Sequence, residues 1–199
     1  MEFVKEHLDQ LKLSFLDNLD PDEVGGKVVK TFCEGLSGVE FDTIPTGLFD
    51  ERGQISRSKI FELVNSRTTN TATLCAVILA WGGMRMTNHK AFFDQKNEGW
   101  IDLADRMITG EVTSRHEAYD AFRNLSNMGK LIGVGPAYFT KLIYFLLPRK
   151  KPRDTPFIMD QWAACSVNLL LGQELVKMNV NRLWKRHSAG MNESSTYSV

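Results

Sequence analysis

This chain has little means for disulfide chemistry or for holding a metal on cysteine. Its three cysteines, Cys33, Cys75 and Cys165, are odd in number, far apart and without CxxC spacing, so neither a disulfide framework nor a zinc site is indicated. No run of about 18 uncharged apolar residues occurs, so no membrane span is expected. The start, Met1-Glu2-Phe3-Val4-Lys5-Glu6-His7, carries acids where a signal peptide needs an apolar core. Export is therefore not expected, and a reducing cytoplasmic setting is. Internal repeats, low-complexity tracts and alternating strand patterns of useful length are also missing. With 199 residues, the chain is long enough to bury a sizeable core as one domain or as two small lobes sharing one.

Net charge is zero as well, but that zero hides an asymmetry. Residues 121–187 carry eleven Lys/Arg against three acids, a net +8, residues 1–120 carry a net −7, and Glu193 supplies the remaining negative charge. A basic half on a neutral chain is the footprint expected of a polyanion-binding face.

Helical spacing dominates. Helices are predicted over 3–17, from the Asp20-Pro21-Asp22-Glu23 start to Gly35, and from Ser56 or Ser58 through Ile60, Leu63 and Val64. A buried helix over Thr71–Trp81 is ended by Gly82-Gly83, and others cover 88–95, 99–109, 114–128, 137–147 and 161–171. Segment 37–56, with Gly38, Pro45, Gly47 and Gly53, reads as a long loop with room for one short extended piece. The fold class is therefore all-α. One domain over 1–187 is expected, with an N-terminal helical lobe to about residue 55 and a second lobe over 56–187. The polar tail 188–199 is expected to be disordered. Its lack of a closing helix raises the expectation that the natural parent is longer.

The chemistry concentrates between residues 128 and 160. In Met128-Gly129-Lys130-Leu131-Ile132-Gly133-Val134-Gly135-Pro136, two glycines flank one apolar residue. They are read as allowing φ > 0 and close backbone approach, with Val134 turned inward. Pro136 suits the first helical position, where N–H groups and dipole attract a phosphate. This is a helix-hairpin-helix arrangement, and Gly133, Val134, Gly135, Lys130, Lys150 and Lys151 are its candidate DNA contacts. In the apolar helix that follows, Lys141 is the single charge. Its ammonium is read as reaching water or a phosphate at the end of an apolar stem, or as a nucleophilic amine with a depressed pKa. Asp160 stands where a helix N-cap belongs. A rigid carboxylate there also suits cleavage of an N-glycosidic bond, since it can stabilise an oxocarbenium-like sugar and orient or deprotonate water. His7, His89, His116 and His187 show no ligand spacing and read as surface or core histidines, while Arg85 and His89, after Trp81, are also candidates to reach DNA.

The order Gly133-Val134-Gly135-Pro136, apolar helix, loop, Ile158-Met159-Asp160-Gln161-Trp162 resembles the helix-hairpin-helix DNA glycosylase superfamily, which includes endonuclease III, adenine glycosylase and 8-oxoguanine DNA glycosylase. Pro136-Ala137-Tyr138-Phe139-Thr140-Lys141-Leu142 and Val77-Ile78-Leu79-Ala80-Trp81-Gly82-Gly83-Met84 look most like bacterial proteins with the 8-oxoguanine-glycosylase fold. The specific resemblance covers about residues 70–175. It implies two helical lobes flanking a cleft and a phosphate-binding hairpin at Gly133 and Gly135. A monovalent cation on the hairpin carbonyls is the one cofactor it suggests. Asp160 falls on the superfamily's essential aspartate.

Two departures stand out. The lysine that forms a Schiff base in bifunctional members falls here on Ala137, with Lys141 one turn later on the same face. The Gly135-to-Asp160 spacing is also a few residues longer than usual, the extra length lying in the basic stretch Leu147–Thr155. No four-cysteine pattern is present, so no iron–sulfur cluster is expected. The expected activity is removal of a modified base, 8-oxoguanine-like or a hypermodified phage base, extruded from double-stranded DNA in repair or antiviral defence. Asp160 and Lys141 are the catalytic candidates, Trp81, Tyr138, Gln161 and Trp162 the candidate base walls, and Gln161 or Asn65 the candidate to read a Watson–Crick edge. A monomer is expected. The rivals are a non-catalytic DNA-binding module, in which Asp160 is only a cap, and a bifunctional glycosylase/lyase using Lys141.

Overall fold

The computed structural model describes residues 4–11, 24–30, 40–93, 99–132, 134–148, 158–159 and 161–175. The chain divides into two compact units, one made of Met1–Leu16 with Gln161–Val199, the other of Asp17–Asp160. In the first, α1 (Lys5–Leu11) pairs with a helix near the end of the chain, Gln161–Leu171. The Val4 N–H donates to the Leu170 carbonyl at 2.8 Å, and His7 Nδ1 lies 2.7 Å from the Leu169 carbonyl oxygen.

The second unit holds β1 (Val24–Gly25), β2 (Ile55–Ser56), α2 (Arg57–Ser66), α3 (Thr71–Trp81), α4 (Met86–Phe93), α5 (Gly99–Thr109), α6 (Arg115–Asn127) and α7 (Pro136–Leu146). The helix at Gln161–Leu171 is then α8 in chain order. Residue 55, where a lobe boundary was expected, lies inside this unit, in the antiparallel pairing Gly25 with Ile55 and Val24 with Ser56. Two-residue strands give no alternation for a sequence to display. Among the described residues the architecture is otherwise helical, and no helix is long and apolar enough to cross a membrane.

Helix α3 is the centre of the core. Every residue from Thr73 to Trp81 is buried, as befits a helix apolar all round. It packs against α2, α5, α7 and both strands. Its start is fixed by Asn70, whose side-chain oxygen accepts the Thr73 N–H at 2.8 Å, a helix cap of the preferred type. Segment 40–42 closes over this end, with the Asn70 amide group on the Glu40 carbonyl and the Asp42 N–H on Thr73 Oγ1.

The far end of α3 corrects one expectation. The helix predicted from Asp20 to Gly35 does not run through its middle, because Val24–Gly25 is a strand and Gly26 has φ +82°. Residues 29–30 are helical, and 12–23 and 31–39 lie outside the described residues. Here the backbone lies directly on the end of α3, and the Lys27 N–H donates to the Ala80 carbonyl at 2.9 Å. A Cβ on Gly26 would stand 2.7 Å from the Trp81 carbonyl carbon. The two glycines serve close approach rather than helix continuation.

Candidate functional site

The α6–α7 hairpin begins with a helix stop that the sequence specifies locally. Gly129 has φ +70°, its N–H donates to the Ser126 carbonyl at 3.0 Å, and the Lys130 N–H donates to the Leu125 carbonyl at 2.9 Å. These two bonds make a Schellman cap. Beyond it Leu131 and Val134 are buried, while Met128 and Ile132 are exposed, as is Lys130. Val134 therefore turns inward, as its place between glycines suggested. Phe122 of α6 stacks on Phe139 of α7 with ring centroids 5.4 Å apart, which fixes the two arms of the hairpin. The left-handed glycine is thus Gly129. Gly135 sits at φ −96°, ψ −177° as the N-cap of α7, an extended conformation open to any residue, so it does not use the φ > 0 that a glycine allows. A Cβ on Gly135 would meet no described atom within 4 Å. Among the described residues, then, its bareness leaves room on the exposed side of a helix N-terminus. Gly133 lies outside the described residues.

The first turn of α7 gathers the rest. Pro136 occupies the first position, and the Tyr138 and Phe139 N–H groups donate to the Gly135 carbonyl. Lys141 is 7% exposed, which is rare for a lysine. Its Nζ donates to the Ala137 carbonyl at 2.8 Å and stands 5.8 Å from the Tyr138 ring centroid. This geometry follows from the tilt of helical side chains toward the N-terminus. The stem passes the end of α3, where a Cβ on Gly82 would lie 3.0 Å from Lys141 Cε. Gly82 thus leaves the slot the lysine fills. The amine stops at Ala137, the residue on which the resemblance places the lyase lysine.

Beside it, Thr140 Oγ1 donates to the Pro136 carbonyl at 2.6 Å and accepts the Met159 N–H at 2.9 Å. Met159 immediately precedes Asp160, which itself lies outside the described residues, as do Lys150 and Lys151. Gln161 and Trp162 lie at the start of α8, and their side chains fall outside the described residues too. Sequence reasoning missed Thr140 and Gly82 as contributors here. The available signals were a hydroxyl in an otherwise apolar helix and a glycine pair at a helix end.

Other candidates are placed elsewhere. Trp81 is buried, with Phe145 edge-on at 5.1 Å and the Arg57 guanidinium 5.6 Å from its ring centroid. Tyr138 is half-buried and packs against the core. Asn65 lines a pocket of about 370 Å³ with Phe61, Arg67, Phe145 and Leu147. That pocket is at the C-terminal end of α7, roughly 15 Å along the helix from Pro136, so Asn65 does not join the cluster at the first turn. Arg85 is exposed.

His89, read as a surface or core histidine with DNA contact as the other option, is a core residue, fully buried on α4 and edge-on to Phe93 at 4.8 Å. Burial lowers its pKa from 6.5 to about 4. Below about pH 6.5 the unfolded chain takes up a proton that the folded chain refuses until about pH 4. Stability is therefore expected to fall by up to roughly 3 kcal/mol as pH drops through that window. Thermal melts from pH 7 to 4 should show this slope flattened in His89→Leu, and an unchanged slope would refute the assignment.

Cys75 is wholly buried, and desolvation pushes its thiol well above the usual range, leaving it inert. Cys33 lies outside the described residues. Among the described residues no cluster of His, Cys, Asp and Glu could hold a metal ion.

A family model described as "Putative 8-oxoguanine DNA glycosylase OGG-like protein" matches residues 34–198. Neither a curated protein nor a solved structure matches the chain. The matched range takes in the α6–α7 hairpin, all of α7 and Asp160, and the chain belongs to this OGG-like glycosylase family.

Proposed function

We propose that this protein is a DNA glycosylase that extrudes a modified base from duplex DNA and hydrolyses its N-glycosidic bond, leaving an abasic site. The observation that carries the reading is the convergence on the first two turns of α7. The bare, exposed N-cap at Gly135, the Lys141 amine on the Ala137 carbonyl, and the tie from Thr140 to the residue before Asp160 all fall within Gly135–Lys141. The hairpin backbone is the phosphate-holding element; its carbonyls would hold a monovalent cation, which would supply positive charge beside that phosphate. Lys130, Lys150 and Lys151 follow the DNA backbone. Tyr138, half-buried beside the Lys141 amine, walls the extruded base.

As the C1′–N bond breaks, its electron pair leaves on the base, and the Asp160 carboxylate stabilises the cationic sugar. Water then adds its oxygen to C1′ and gives its proton to that carboxylate. Family membership and the basic C-terminal half support this reading. The substrate class is 8-oxoguanine or another modified base, including the hypermodified bases of phage DNA, and the role is repair or antiviral defence. The protein acts as a cytoplasmic monomer.

The test is a panel of duplexes carrying damaged or phage-derived bases, read by alkali cleavage at abasic sites. Release from at least one duplex is expected. DNA binding without release from any of them would favour a non-catalytic hairpin module.

The position of the Lys141 amine at Ala137 favours a second activity, strand cleavage through a Schiff base between that amine and the sugar aldehyde, with loss of water. Borohydride should then trap a covalent protein–DNA adduct with wild type and none with Lys141→Ala. No adduct with wild type would leave the enzyme monofunctional.

A further inference from the structure

Residues 149–157 are the stretch that joins α7 to residues 158–159, and they lie outside the described residues. The Ile158 side chain packs against the core, and the Met159 N–H is accepted by Thr140 Oγ1 at 2.9 Å. Thr140 is buried, at 4% exposure. Its hydroxyl proton is committed to the Pro136 carbonyl at 2.6 Å, which turns the oxygen lone pairs toward the incoming amide. Donating and accepting at once polarises both bonds and fixes the hydroxyl rotor. Of the two χ1 rotamers open to a threonine in a helix, the bond to the Pro136 carbonyl selects one.

We infer that Thr140 is a positioning residue for the reaction proposed above: its hydroxyl ties the peptide just before Asp160 to the first turn of α7, and the rate of base release depends on that tie. This deepens the glycosylase reading and rests on it. No reacting atom touches Thr140. Its effect passes through the Met159 amide, and small misplacements of a reacting group are costly in rate.

Thr140→Val keeps the shape and removes the hydroxyl, whereas Thr140→Ser keeps the hydroxyl and removes the methyl. The experiment measures base release under single turnover, DNA affinity, and amide exchange at Met159 by NMR in all three proteins. Thr140→Val is expected to slow release at least about tenfold with DNA affinity within about threefold, and to speed Met159 exchange by about tenfold or more. Thr140→Ser should restore both. Release by Thr140→Val at the wild-type rate, or Thr140→Ser as slow as Thr140→Val, overturns the inference. Equal Met159 exchange in all three proteins overturns the tie itself. A wild type that releases no base yet shows the exchange contrast overturns the glycosylase reading, and with it the catalytic half of this inference.

Discussion

Asp160→Asn is expected to slow base release by about two to four orders of magnitude while leaving DNA affinity within about threefold. The change is nearly isosteric, so its effect reads the charge. An amide cannot take a proton from water and offers no negative field to a sugar that becomes cationic as the base departs. DNA affinity rests on different groups, the hairpin backbone and the lysines, and its salt dependence should be unchanged. Asparagine also caps helices about as well as aspartate, so a purely structural role for Asp160 would leave the variant as active as wild type. Single-turnover alkali cleavage together with fluorescence anisotropy separates the cases. A variant that releases base at the wild-type rate would make Asp160 only a cap, and one that loses affinity in proportion to activity would make it a structural or DNA-contacting residue.

Gly26→Ala is expected to cost about 3 kcal/mol or more, lowering the melting temperature by roughly 10 °C. Two effects add. The backbone at φ +82° is one that side chains rarely adopt, and the new methyl would be driven into the Ala80 and Trp81 carbonyls. Those are main-chain atoms at the end of a fully buried helix, so they cannot swing aside, and relief would break the Lys27 N–H bond to Ala80. Gly83→Ala separates the two effects. Gly83 also has positive φ, +68°, but a Cβ there meets nothing within 4 Å among the described residues, so about 1 kcal/mol is expected from conformation alone. Equal losses in the two variants would show that the close approach at Gly26 carries no energy.

The helices were legible where local chemistry sets their ends. Ser56, Ser114 and Gly82 are the caps that the residue pattern suggested, and Thr71–Trp81 and Gly99–Thr109 match their predicted bounds. What escaped was non-local. The β1–β2 ribbon joins residues some thirty apart and leaves no periodic trace. The turn of Gly26 is dictated by a helix end more than fifty residues on. His89 looked available because a short helix with a weakly sorted apolar face does not announce which side it buries. At the candidate site, the glycines, Lys141 and Tyr138 were legible as residue types. Which glycine adopts the left-handed conformation, and which carbonyl receives the lysine, depended on the Schellman cap and on the lean of side chains along α7. Thr140 was illegible for the same reason, since its partner lies nineteen residues later.

The short ribbon bears on where an independently folding piece of this protein can begin. The family match opens at residue 34, yet Val29 is part of the core, Gly25 is paired with Ile55, and the Lys27 amide covers the exit of the central helix. A fragment trimmed to the homologous range would expose Ile55 and strip the last carbonyls of α3 of their cover. The evolutionary unit and the cooperative unit therefore have different left edges, and recombinant pieces meant to stay soluble should start upstream of residue 24.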